Sequence, residues 1–126
     1  MTPDAFKACC LSLPGATHVV QWGGAAVFKV GGKIFAIAGS LGQGEDVAFS
    51  FKASDMAYAL LIEQGLARPA PYLARAKWVR LMARDSLPDT DLVACLSQAH
   101  ALVAARLTRT ARRELGLALS AQPNPN

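Results

Sequence analysis

The spacing of apolar and polar positions changes repeatedly along this chain, and each change marks an element. Thr2, Pro3 and Asp4 open a helix with a hydroxyl cap, a proline at the first position and an acid in the first turn. Phe6, Cys9, Cys10 and Leu13 then recur at helical spacing as one apolar stripe, which Pro14-Gly15 stops. From His18 to Lys52 the period becomes extended. His18–Trp22 predicts a short strand. Ala25–Val30 and Lys33–Ala38 are two more, joined by Gly31-Gly32, a hairpin turn that needs positive φ. Gly39–Asp46 reads as a polar, glycine-rich loop. Val47–Lys52 alternates, with Val47, Phe49 and Phe51 toward a core and Ala48, Ser50 and Lys52 away from it.

Ser54-Asp55 caps a second helix predicted to run to Gln64, where Gly65 closes it. Arg68–Lys77 holds Pro69 and Pro71 and reads as an irregular connection. Trp78–Ala83 predicts a strand with Trp78, Arg80 and Met82 on one face and Val79 and Leu81 on the other. Ser86 and Pro88 start a third helix whose stripe is Leu92, Leu96, Ala99, Val103 and Leu107. The pattern leaves open whether that helix continues through Arg112-Arg113. The order is α-β(3–4)-α-β-α. It predicts an α+β fold, an antiparallel sheet packed against helices as a two-layer sandwich. Residues 1–115 are expected to form one domain and 116–126 a frayed tail.

Composition agrees with a packed core: 52% of residues are hydrophobic and 17% charged, the reverse of a disordered chain. No apolar run approaches the ~20 residues that span a bilayer, and no charged-then-apolar leader opens the chain. The three cysteines are an odd number, and two of them are neighbours. A disulfide framework is therefore not expected, and a cytoplasmic location without membrane contact is. Cys9 and Cys10 read as small hydrophobes on the buried side of the first helix rather than as a reactive thiol pair.

Candidate chemistry is sparse. His18 and His100 are far apart, no CxxC is present, and no motif gathers ligands for a metal or partners for a nucleophile. His100, one turn beyond Leu96, reads as a hydrogen-bonded histidine at the core boundary. The 39–46 loop lacks the GxxxxGK[ST] pattern of a phosphate cradle. The expectation is a protein that is not an enzyme and takes no cofactor or metal.

Charge is more informative. The net charge is +4, and it is uneven: four lysines face five acids in residues 1–64, and nine basic side chains face four acids in residues 65–126. By strand alternation Lys29, Lys52 and Arg80 point away from the core. If their faces belong to one sheet they make a basic platform, with Lys33, Arg75, Lys77 and Arg84 as further members. Such a surface contacts phosphates with weak sequence preference, although a solvated sheet face carries the same residues for solubility. Trp22, Tyr72 and Trp78 are the candidate stacking or pocket residues beside it, and tryptophans that plug sheet edges are the competing reading. Arg106, Arg109, Arg112 and Arg113 read as cations that complement a helix C-terminus.

Four segments together resemble the MmcQ/YjbR-like family. They are Leu13-Pro14-Gly15-Ala16, then Phe28-Lys29-Val30-Gly31-Gly32-Lys33-Ile34-Phe35-Ala36, then Pro71-Tyr72-Leu73 leading into Lys77-Trp78-Val79, and Ser86-Leu87-Pro88-Asp89. They occur in the family's order over roughly residues 3–108. The resemblance implies a sheet packed against helices, similar to secretion-chaperone-like folds, in a stand-alone cytoplasmic bacterial protein commonly labelled DNA-binding. It supplies no catalytic set. His18-Val19-Val20-Gln21 stands where the family often has acids, and His100 where an aromatic is expected. Two partner classes follow: DNA, bound weakly through phosphates, or a protein partner, including a second copy in a chaperone-like homodimer. A small-molecule pocket between the sheet and the Pro69–Leu73 turn is a third reading.

Overall fold

Thr2 accepts a hydrogen bond from the Ala5 amide (3.1 Å) and starts α1 (Pro3–Leu11), as a hydroxyl cap before proline should. The computed structural model describes residues 1–21, 23–39, 47–70 and 76–117. After α1 come β1 (Ala16–Gln21), β2 (Ala25–Val30), β3 (Lys33–Gly39) and β4 (Ala48–Lys52). Ser54 caps α2 (Asp55–Glu63), which is followed by β5 (Ala67–Pro69) and β6 (Trp78–Leu81). The chain then enters α3 (Asp89–Ala104) and α4 (Arg109–Glu114).

The strands form one antiparallel sheet in the order β1-β2-β3-β4-β6-β5. Gly31 and Gly32, at φ 59° and 81°, make the β2–β3 hairpin turn. Leu107 packs against Gly31 so closely that a Cβ there would lie 2.6 Å from its Cδ1. That contact brings the end of α3 onto the hairpin.

Alternation sorts the sheet into two faces. Phe28, Val30, Ala36, Ala38, Phe49, Phe51, Val79 and Leu81 point inward and join one core cluster with Phe6, Cys10, Leu61, Leu92, Leu96, Ala99 and Val103 of the helices. At its centre Phe6 stacks on Phe49 (centroids 4.0 Å apart) and meets Phe28 edge-on at 5.8 Å. The pairing of β2 with β3 slips between Phe28 and Lys29, so β3 carries one extra residue there. This bulge turns Phe35 inward beside Ala36, where strict alternation would send it out.

The expected architecture is present, with local differences: β1 starts two residues before His18, and β6 ends at Leu81 rather than Ala83. Ala67–Pro69, expected to be irregular, is a short edge strand paired with β6. Its proline donates nothing, which an edge tolerates. Ser86 does not cap α3: its hydroxyl accepts from the Ala83 amide in the preceding turn, and α3 starts at Asp89 without a side-chain cap. The helical pattern breaks at 105–108, where Thr108 caps a separate α4 through the Ala111 amide. Residues 40–46 of the predicted Gly39–Asp46 loop, residues 71–73 of the Pro69–Leu73 turn with the pocket expected beside it, and the tail from 118 lie outside the described residues.

Truncating Phe6 to alanine should cost about 3–5 kcal/mol, the usual penalty for an emptied aromatic core site. Urea unfolding followed by circular dichroism measures it.

Candidate phosphate-contact surface

The outer face of the sheet is divided along one row of directly paired residues. Val19 faces Val27, Val27 faces Ile37, Ile37 faces Ser50, Ser50 faces Arg80 and Arg80 faces Arg68. The β1–β3 half of the row is aliphatic. The β4–β5 half is polar and basic, with two arginines directly opposed. Lys29 and Lys52 lie on this same face, because each is an even number of residues from a member of the row. Lys29, Lys52 and Arg80 thus belong to one sheet face.

Along the strands the basic residues separate. β3 begins and β4 ends at the hairpin end of the sheet, so Lys33 and Lys52 share that end. Lys52 pairs with Trp78, which puts the preceding Lys77 at the same end. Arg106, in the turn next to Leu107, arrives there from α3. Arg84 lies three residues beyond β6, at the opposite end. There it lines a cleft of about 870 Å³ with Arg80, Met82, Asp85 and Asp89, near the starts of α1 and α3. Two carboxylates offset its two arginines.

The hairpin end is different. The Lys52 ammonium donates to the Ala76 carbonyl. Burial pushes its pKa below the ordinary lysine range, the Arg106 and Lys77 charges push it further the same way, and Asp55 opposes them. Lys77 has a left-handed backbone, φ 63°, which costs a lysine about 1 kcal/mol. That conformation accompanies a hydrogen bond from the Ala53 amide to the Lys77 carbonyl (2.9 Å), tying β6 to the end of β4. The Lys77 ammonium rests 4.9 Å above the Tyr58 ring. An ion pair within 4 Å joins the Met1 amine to Asp89 at the far end of the molecule, and among the described residues no carboxylate pairs at that distance with Lys52, Lys77 or Arg106.

Other candidates sort by burial. Trp78 is 5% exposed and is therefore a plug in the sheet, not a stacking platform. Trp22, Tyr72 and Arg75 lie outside the described residues. Lys33 is exposed at the hairpin. His100 is buried, donates from Nε2 to the Pro14 carbonyl (2.7 Å) and stands edge-on to Phe35 at 5.4 Å, the structural role its position predicts. Arg112 donates to the carbonyl of Ala105, the C-cap of α3, at 3.4 Å. Local reading missed Arg106 as a member of this end, and read Arg68 as the start of an irregular basic segment rather than as part of a strand. Arg106 reaches Lys52 only through the tertiary docking of α3, and Arg68 sits in a strand its prolines disguised. No described helix is long and apolar enough to cross a membrane, and no described group of three His, Cys, Asp or Glu side chains is gathered as a metal would require.

The family model that matches this chain is YjbR, over residues 11–102. The chain belongs to the YjbR family. Comparison with curated proteins gives no match. Among solved structures, a Deinococcus radiodurans protein, DR2400, assigned to the DUF419 family model, superposes with a TM-score of 0.79. It shares 23% identity over 97% of this chain and 93% of that one, and at that identity the likeness establishes the YjbR-type fold alone.

Burial raises the pKa of Cys9, Cys10 and Cys95, most strongly that of Cys10, which lies wholly inside the core. In native protein at pH 8, Cys10 should therefore react with a thiol reagent only as fast as the fold opens, and at once in denaturant. Mass mapping of time-resolved alkylation reads this out.

Proposed function

We propose that the protein is a binding module that contacts nucleic-acid phosphates through the hairpin end of its sheet. The observation that carries this reading is that the β4–β6 pairing sets Lys52 and Lys77 at one end of the sheet and the docking of α3 brings Arg106 to the same end, with none of the three ion-paired within 4 Å to a carboxylate among the described residues. Lys33 on the exposed hairpin and Lys29 on the outer face extend it.

Three cations at close quarters are costly in an empty site and favourable around an anion. The sign follows from Lys52. Its folded pKa is lowered, so its charged form destabilises the fold below that pKa. The penalty fades as pH rises toward the unfolded lysine value. A bound phosphate offsets the part of that penalty that comes from the neighbouring cations, at neutral pH and without a change in protonation. Sequence preference is expected to be weak, because phosphate contacts position a duplex without reading it. The reading is of a binding protein and not of an enzyme.

Duplex DNA titrated at several salt concentrations tests it. Log K should fall linearly with log salt by about 0.9 for each phosphate neutralised. Lys33→Gln and Lys52→Gln should each lower that slope by about 1, while Lys7→Gln, on the exposed side of α1, leaves it unchanged. Absence of binding at low salt, or binding indifferent to salt, contradicts the proposal.

A further inference from the structure

The two edges of the sheet are built differently. β5, at one edge, is three residues long and carries Arg68 and Pro69, two features that block another strand from adding. β1, at the other edge, is six residues long (ATHVVQ), without charge or proline, and its register with β2 runs unbroken from Ala16 to Gln21. One side of β1 is paired with β2, and it is the last strand in the sheet order. Val19 and Val20 are 40% and 66% exposed on opposite faces. A long, uncharged, unbulged edge strand with exposed valines is a template for strand addition.

Self-pairing suits this strand. In antiparallel pairing, residues directly opposite share a face, so a two-fold axis through Val19 sets Val19 against Val19 of the second copy on the outer face. It also sets His18 against Val20 on the inner face and Thr17 against Gln21 on the outer one. No charge is apposed at any of these positions, and the helices of both copies stay on one side of the joined sheet.

Charge selects the direction. Each copy carries +4, and its basic hairpin end, where β1 begins, also holds α4, whose Leu115 packs against Gly15. The opposite end is close to balanced: Asp4 at the start of α1, which packs along β1, and Asp85 and Asp89 near the start of α3 stand against Arg80, Arg84 and the Met1 amine. Antiparallel addition lays the basic end of one copy beside the charge-balanced end of the other. Parallel addition would bring the two basic ends together.

We propose that the protein forms a two-fold homodimer in which the β1 strands of two copies pair antiparallel about Val19 and join their sheets into one. It does not rest on phosphate binding: β2 and β3 separate Lys52 and Lys77 from β1, and of the proposed phosphate surface Lys29 alone pairs with β1, opposite Thr17.

Sedimentation velocity from low to high micromolar concentration tests it on the full chain. Wild type should sediment as a dimer at the upper end. Val19→Lys, which sets two like charges across the axis, and Val20→Lys should each weaken dimerisation about tenfold or more. Both side chains are already exposed, so circular dichroism and the melting temperature of the monomer should hold. Arg68→Glu, at the blocked edge, should leave the dimer intact. A wild type that stays monomeric throughout overturns the proposal. So does a dimer indifferent to both valine substitutions, or one that Arg68→Glu dissolves.

Discussion

Everything else in this molecule depends on the aromatic layer between sheet and helices. Phe6 enters from α1 and stacks on Phe49, with Phe28 at its edge and Phe35 and Phe51 alongside in the same buried cluster. Filling that layer from the helices fixes which face of each strand points inward, because alternation leaves no choice once one residue is buried. The outer face, the hairpin end and the two edges are what remains. The chemistry of the molecule is distributed over those three places.

The basic residues illustrate how topology overrides proximity in sequence. Lys77 and Arg80 are three residues apart, yet one sits at the hairpin end and the other lines the far cleft with Asp85 and Asp89. Lys52 and Arg106 are far apart in sequence and act on one another. Convergence at the hairpin end comes from antiparallel pairing of β3, β4 and β6, together with Leu107 seated on Gly31, which delivers Arg106 from α3. An anion can therefore exploit a cluster that no local motif describes. The same uneven charge, basic at one end and balanced at the other, disfavours association in which the two basic ends meet.

Much of the fold was legible in the sequence because the signals are local. The Thr2 and Ser54 caps, the Gly31-Gly32 turn and the Phe49–Phe51 alternation each report a backbone state through one or two residues. What was not legible depends on partners distant in sequence. The bulge that buries Phe35 exists only relative to β2, and β5 exists only as a partner of β6. Trp78 reads as outward by alternation, and it does lie on the outer face, yet it is buried there. Of the candidate site, alternation alone turned Lys29, Lys52 and Arg80 away from the core, and the strand order set them on one sheet face. Their division between two ends required the registers. His100 was legible because its helical spacing from Leu96 set it at the core boundary, where a histidine needs a partner, here the Pro14 carbonyl.

The central claim is that the hairpin end binds an anion. Amide chemical shifts of ¹⁵N-labelled protein, followed while a short DNA duplex is added at low salt, test it most directly. The account predicts that Gly31, Gly32, Lys33, Lys52, Lys77 and Arg106 move together along one binding curve. Shifts confined to Arg80, Met82 and Arg84 around the cleft, or a spectrum that does not change, would contradict it.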